Sequence, residues 1–457
     1  MTETGKKFNL KIFQKILELP IGIANKANEE MFALLSEVYP LTLKRYPSDT
    51  EHNGWVIPRD WDVTRAEILK DGILLFDGTR HPLAVAGYST GFSGKVTKNE
   101  LDKHVFSNRE NPDSYPFHCV NNYRPWAKHW GFCIPFAEYN NWTEGEYEVD
   151  LEVDFQPGEM IVGEAFLPGE SKETIVFNAH TCHPCQANDD MAGVFLILEL
   201  FKWLSLRKRK YSYLAVLGPE HLGTVFYIAG LTDEFIRRLK GCFFIEMPGT
   251  ETPLLLQKSF FGDSVVDRVS LYVLKDIEKD LRVASFREDI RYYVGNDETV
   301  WEAAGIEVPT VSISRWPYEQ YHTSADNLDI ISADKMMETF KALQKMVEVL
   351  EIDHSFKRKF KGLIALSNPK FNLYIERWDP TVDKKLKDMD FKLGRMQDHL
   401  PRYLNEKYTV FDIAEKFDVP FDFLVRYLSR FKEKGLVEFE NFYSLDRYQR
   451  DMGTYKV

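Results

Sequence analysis

Cysteine is scarce in this chain, with five in 457 residues. That count is too low, and odd, for the disulfide framework of a small secreted domain, so a reducing, cytoplasmic setting is expected. There is no run of about 18 apolar residues, hence no candidate membrane-spanning helix. Met1 to Leu10 is polar and lysine-bearing with no apolar stretch behind it, unlike a secretory leader. Nor is there a basic excess: 58 lysines and arginines face 70 acids, a formal charge of −12. That balance weighs against coating nucleic acid or lying on a membrane surface. The length exceeds what one hydrophobic core organises, so two or three domains are expected.

What the chain does contain is a series of apolar runs that end in ligand-type side chains. Ile175, Val176 and Phe177 read as a buried strand that delivers His180 and His183 onto a loop; Asp189 and Asp190 follow, directly before an apolar helical stretch from Met191 to Leu200. Imidazole nitrogens and carboxylate oxygens at a strand end suit zinc or a similar ion better than calcium, which takes oxygen alone. The run from Tyr213 ends in Glu220 and His221 before Gly223, and the run from Cys242 ends in Glu246 before Pro248 and Gly249. A polar loop then carries Tyr321, His322 and Asp326. Strands that each end in one such residue belong to an α/β sheet with its site at the carboxyl ends of the strands. Each histidine taken singly could instead be a satisfied loop residue, and Glu220 an ordinary strand-end acid paired with a basic side chain. Which of His180 and His183 is the first ligand stays open. Asp297, in Gly295-Asn-Asp-Glu, is a candidate support or substrate contact, as is Tyr321. Cys182 and Cys185 form a single Cys-x-x-Cys, which redox or zinc chemistry could use.

The order of these motifs resembles the M28-type zinc aminopeptidases, and more closely a bacterial branch with an inserted β domain and a C-terminal winged helix. The resemblance implies an α/β fold: a three-layer α/β/α zinc-exopeptidase core split by a β-rich insert. It also implies one or two zinc ions, with Asp189 bridging, His180 and Glu246 on the first ion, His221 and His322 on the second, and Glu220 as general base. Three positions depart from the family pattern. The usual His-x-Asp has become His180-Thr-Cys182, the second residue of Glu-Glu has become His221, and the strand-end aspartate has become Glu246. The missing acid of His-x-Asp normally orients the metal histidine.

Along the chain, Phe8 to Tyr39 reads as helical. Residues 51–155 are strand-rich, with runs at Gly72–Phe76 and Leu83–Tyr88, and hold five of the nine tryptophans: Trp55, Trp61, Trp126, Trp130 and Trp142. These aromatics either fill a β core or, with His118, His129 and Tyr123, face the metal site as a cap that favours small substrates. The expected organisation is 1–50 with 156–378 as a discontinuous metallopeptidase-like domain, 51–155 as the insert, a polar linker over Asp379–Asp390, and 391–457 as a winged helix-turn-helix. From Arg395 to Val457 the chain has 11 basic and 11 acidic residues, so DNA is an unfavourable partner and packing or homo-oligomer contacts are the alternative. The function these features imply is zinc-dependent hydrolysis of an amide or peptide bond in a small substrate, as in an aminopeptidase-like exopeptidase. An amidase or deacetylase of amino sugars or polysaccharide precursors would use the same water chemistry. A non-catalytic, degenerate peptidase is the third reading.

Overall fold

The computed structural model describes residues 10–285, 295–376, 388–440 and 444–445. The chain divides into two compact units, residues 1–343 and 344–457.

The first unit opens with helices α1 (Leu10–Leu17) and α2 (Asn28–Val38). The stretch expected to be helical is divided in two, because Pro20 cannot continue a helical ladder. Strand β1 (Thr42–Pro47) follows. The insert then contributes β2 (Asp60–Lys70), β3 (Ile73–Asp77), β4 (Phe92–Thr97) and β5 (Glu146–Gln156). These pair antiparallel in the order β3-β2-β5-β4. The face they bury packs Ile68, Phe76, Tyr147, Val149 and Leu151 against Phe132 and Trp130, with Trp61 and Trp142 partly buried beside them. The expected strand over Leu83–Tyr88 is absent. Leu83 to Ala86 are instead buried in that core as a loop whose pairing is a single antiparallel bridge, Val85 to Phe132.

The remaining strands of the first unit are β6 (Glu159–Leu167), β7 (Thr174–His180), β8 (Ser212–Gly218), β9 (Leu239–Ile245), β10 (Leu255–Gln257), β11 (Arg282–Ala284) and β12 (Thr310–Ser314). With β1 they form one eight-stranded mixed sheet in the order β1-β6-β8-β7-β9-β12-β10-β11. Its centre, β8-β7-β9-β12, is parallel. Every residue of β7, β8 and β12 is buried, as expected of parallel strands covered on both faces. Helices α3 (Ala192–Ser205), α4 (Leu222–Ala229), α5 (Val265–Ile277) and α6 (Asp297–Trp301) lie between these strands in sequence. Helix α3 is apolar nearly all round and is buried on almost every side. Trp301 of α6 is fully buried, and its indole N–H donates to Asn178 Oδ1 of β7 at 2.8 Å. The four parallel strands all end on the same edge, where the ligand-type residues stand.

The second unit begins within the long helix α7 (Ala333–Ile352) and holds β13 (Ser355–Arg358), α8 (Asp388–Tyr403), α9 (Val410–Phe417), α10 (Phe421–Glu433) and β14 (Val437–Glu440). A capping box between Thr409 and Asp412 starts α9, and Asp418 ends it in a left-handed conformation. The strand expected after α10 is β14, and it pairs antiparallel with β13. Residues before the 391 boundary therefore belong to this unit. Most of the polar linker expected over Asp379–Asp390 lies outside the described residues. Helix α10 is engaged by the same chain: Tyr427 Oη donates to Leu373 O at 2.7 Å, and Arg430 donates to Asn372 O. No described helix is long and apolar enough to cross a membrane.

Duplex binding by the full chain should be weak at physiological salt, because residues 395–457, which hold the helix-turn-helix, balance 11 basic against 11 acidic residues and the whole chain is acidic. Fluorescence anisotropy against labelled duplex checks this; sub-micromolar affinity that falls steeply with added salt would contradict it.

Candidate metal centre

The loop after β7 and the start of α3 are pressed against the end of β9. A Cβ on Gly193 would sit 2.2 Å from Ile245 O and 2.4 Å from Asp190 Oδ1, so only glycine allows this approach. It leaves room for Asp190 to accept from three backbone amides: Gly193 at 3.2 Å, Met247 at 3.1 Å and His180 at 3.3 Å. Asp190 is thus a structural clamp between the ends of β7 and β9. Its neighbour Asp189, across a cis peptide bond, turns into the site. Asp326 fixes that backbone, accepting from Asn188 N at 2.7 Å, Asp189 N at 3.1 Å and Tyr318 Oη at 2.7 Å. Burial pushes the Asp326 carboxyl up to about 7.

Two groups of ligand atoms share Asp189. His180, Asp189 and Glu246 form one; His183, Asp189 and His322 form the other. His180 Nε2 lies 3.0 Å from Asp189 Oδ1 and 3.9 Å from Glu246 Oε1. Asp189 Oδ2 lies 3.3 Å from His322 Nε2 and 3.6 Å from His183 Nε2. His180 Nε2, His183 Nε2 and Asp189 Oδ2 are buried without a hydrogen-bond partner, which is costly unless something else satisfies them. Burial works against the Asp189 charge, yet His180, His183 and His322 hold its carboxyl well below the ordinary range. Glu246 is driven well above it, first by burial, and also takes a hydrogen bond from Asn296 Nδ2. His183 Nδ1 is 2.9 Å from the Pro184 carbonyl. A carbonyl only accepts, so Nδ1 carries the hydrogen and Nε2 is left to face Asp189. A nitrogen–oxygen donor set of this kind, buried and unsatisfied, fits zinc.

His221 stands in neither group. The turn Glu220–His221 has His221 in a left-handed conformation with φ 54°, held by Asp297, whose Oδ1 accepts from His221 N at 2.6 Å and whose Oδ2 accepts from Thr224 Oγ1 at 2.9 Å. The His221 ring instead stacks on Trp55 of the insert, centroids 5.8 Å apart. Asp297 is fully buried, so it shapes the turn and does not line a substrate surface. His183 stands beside His322 where His221 was expected, and His180, the last residue of β7, stands in the other group. Glu220 accepts from Tyr123 Oη at Oε2, 3.0 Å away. Tyr321 stacks on His322 at 3.8 Å, and its phenol is raised by burial and by the carboxylates of Asp189, Glu246 and Glu220.

The insert reaches the site at three points, and of these only Trp55 and Tyr123 are among the aromatics expected as a cap. Phe117 stacks on His183 at 4.2 Å and meets His322 edge-on at 5.2 Å. Its N–H donates to His322 O at 2.7 Å. Tyr115 and Ser324 exchange hydrogen bonds alongside. Trp55 and Tyr123 add the contacts to His221 and Glu220. Trp126 is exposed, and His118 and His129 pack within the insert against Phe106 and His104. Cys182 and Cys185 are free thiols facing different histidines, His180 and His81.

Residues 10–353 match the profile of the family described as a domain of unknown function, DUF4910. The chain belongs to that family. A relative from Clostridium acetobutylicum is 25% identical over 358 residues, covering 78% of this chain and 80% of its own; its name describes polysaccharide biosynthesis with an aminopeptidase-like domain. Among solved structures, a protein of Clostridium acetobutylicum assigned to the peptidases superposes with a TM-score of 0.76 at 22% identity, covering 94% of this chain and 95% of that one. The zinc aminopeptidase of Bacillus subtilis gives 0.55 at 14% identity over 75% of this chain and 95% of its own. An M28 peptidase precursor from Shewanella amazonensis gives 0.52 at 13%, over 75% and 94%. The DUF4910 chain thus has the α/β fold of the M28-type aminopeptidases.

Replacing Gly193 by alanine should force the ends of β7 and β9 apart, lowering stability by about 1–3 kcal/mol and reducing the metal retained by the purified protein. Thermal unfolding and elemental analysis check both; an unchanged melting temperature would contradict the close approach.

Proposed function

We propose that this protein is a metal-dependent hydrolase that cleaves an amide or peptide bond in a small substrate, in the manner of an aminopeptidase. The observation that carries this is the pair of buried donor groups that share Asp189 and leave three ligand atoms unsatisfied. His180 and Glu246 would hold one ion and His183 and His322 the other, with Asp189 common to both. A zinc ion held there polarises a carbonyl and makes a water more acidic.

The chain's own residues supply the rest. Glu220 Oε2 is occupied by the Tyr123 hydroxyl. Oε1 lies 3.8 Å from His221 Nδ1, and the carboxylate so placed would accept a proton from the attacking water and return it to the leaving amine. The Asp297 clamp on the His221 amide fixes the turn that presents Glu220. Phe117, Trp55 and Tyr123 of the insert exclude bulk water from one side. A cavity of about 450 Å³ lies beside His183, lined among others by Trp61, Tyr88, Phe117 and Asn122. Of the two donor groups only His183 lines it, so the cavity adjoins the site without defining the substrate.

Glu220→Gln should keep the metal content and lose turnover by about a hundredfold or more, whereas Asp189→Ala should lose metal as well as rate. An Asp189→Ala protein with full metal occupancy would remove Asp189 from the ligand set, and a Glu220→Gln enzyme of near-normal rate would remove Glu220 from proton transfer.

A second reading has its own support. The Clostridium relative's name mentions polysaccharide biosynthesis, and an amidase or deacetylase of amino-sugar substrates would use the same carboxylates. Turnover of aminoacyl amides in preference to N-acetylated amino sugars is the expected outcome of a direct comparison; the reverse preference would replace the first reading with the second. Purified protein that holds no zinc and takes up none on titration would sink both.

A further inference from the structure

His180 has its two ring nitrogens in different company. Nε2 faces Asp189 and Glu246, while Nδ1 faces Cys182 Sγ at 3.5 Å. A histidine that gives the Nε2 lone pair to a cation keeps its proton on Nδ1, and that N–H needs an acceptor. Metal-binding histidines ordinarily find an oxygen there, a carboxylate, a carbonyl or a water, which fixes the ring and makes Nε2 a better donor. Here the described residues put a sulfur in that place, only 3% exposed. Thiol sulfur is a weak acceptor and, when neutral, brings no charge to strengthen the donor nitrogen. Cys185, three residues on, does not compete for the contact, because its sulfur faces His81 Nε2 at 3.9 Å.

We propose that Cys182 is a positioning residue whose sulfur accepts the Nδ1–H of His180 but supports it less strongly than an oxygen acceptor would, so that the His180–Asp189–Glu246 group holds a divalent cation less tightly than it would behind a carboxylate. The proposal rests on the metal-site reading above, and its consequence is specific to this group: the cation held through His180 exchanges more readily than it would behind a carboxylate. Changing an outer partner of this kind shifts metal affinity by about 10- to 100-fold, which sets the size of the effect to look for.

The test is cobalt(II) and zinc(II) binding to the full-length protein by chelator competition, for wild type, Cys182→Ala and Cys182→Asp. Thermal unfolding of the metal-free proteins verifies that each is folded. Cys182→Ala should bind about tenfold more weakly than wild type, and Cys182→Asp about tenfold more tightly. Cys182→Asn offers an oxygen acceptor without charge and serves as the second arm if the buried carboxylate prevents folding; it should bind more tightly than Cys182→Ala. Affinities within about twofold of wild type across these variants would overturn the proposal while leaving the metal site itself intact. A sulfur-to-cobalt charge-transfer band that vanishes in Cys182→Ala would also overturn it, by making the thiol a direct ligand. A wild-type protein that binds neither ion would overturn the underlying metal reading together with it.

Discussion

A single carboxylate, Asp189, is held among three imidazoles in a place water cannot easily reach, and most of the surrounding structure can be understood as what that placement requires. A charge in such a position is tolerated only if its backbone is fixed and its oxygens are matched by positive or metal character. Asp326 grips the amides of Asn188 and Asp189. Asp190 ties the ends of β7 and β9 through three amides. The parallel centre of the sheet then makes the site possible, because it brings the carboxyl ends of four strands to one edge and each contributes a loop.

The division of labour among the acids follows from their surroundings. Asp190 and Asp297 spend their oxygens on backbone or hydroxyl donors and act as braces. Asp189 and Glu246 keep oxygens directed at imidazoles. Glu220 gives one oxygen to Tyr123 and turns the other toward His221. Five carboxylates lie within one small region, and hydrogen bonding separates scaffold from chemistry more clearly than residue type does.

Much of this was legible in the sequence. The runs ending at His180, Glu220 and Glu246 announce buried strands with ligands at their ends, since a parallel strand covered on both faces is apolar until it leaves the sheet. What was not legible depended on the direction of side chains at irregular backbone. His221 follows Glu220 directly, and nothing in the letters says that its left-handed conformation sends the ring toward Trp55, leaving the place beside His322 to His183. Phe117 lies far from the motifs it touches, so no local spacing pairs it with the site. Leu83 to Ala86 looked like a strand because a buried loop and a buried strand are equally apolar. Pro20, by contrast, was a visible break within a helical pattern that periodicity alone passed over.

The contact between Phe117 and His322 has a further meaning for how the molecule is put together. Tyr115 and Ser324 are 209 positions apart, yet their exchange of hydrogen bonds is part of what seats the loop carrying His322. Closing such a distant pair is entropically expensive and can occur only once both partners have their own structure. The centre is therefore completed by assembly and not by the core alone: the α/β sheet can present His180, Asp189 and Glu246 by itself, but the His322 side is finished by the insert. A bond broken in residues 111–117 would thus be felt at a histidine two hundred residues downstream, with no change to the sheet that appears to carry the site.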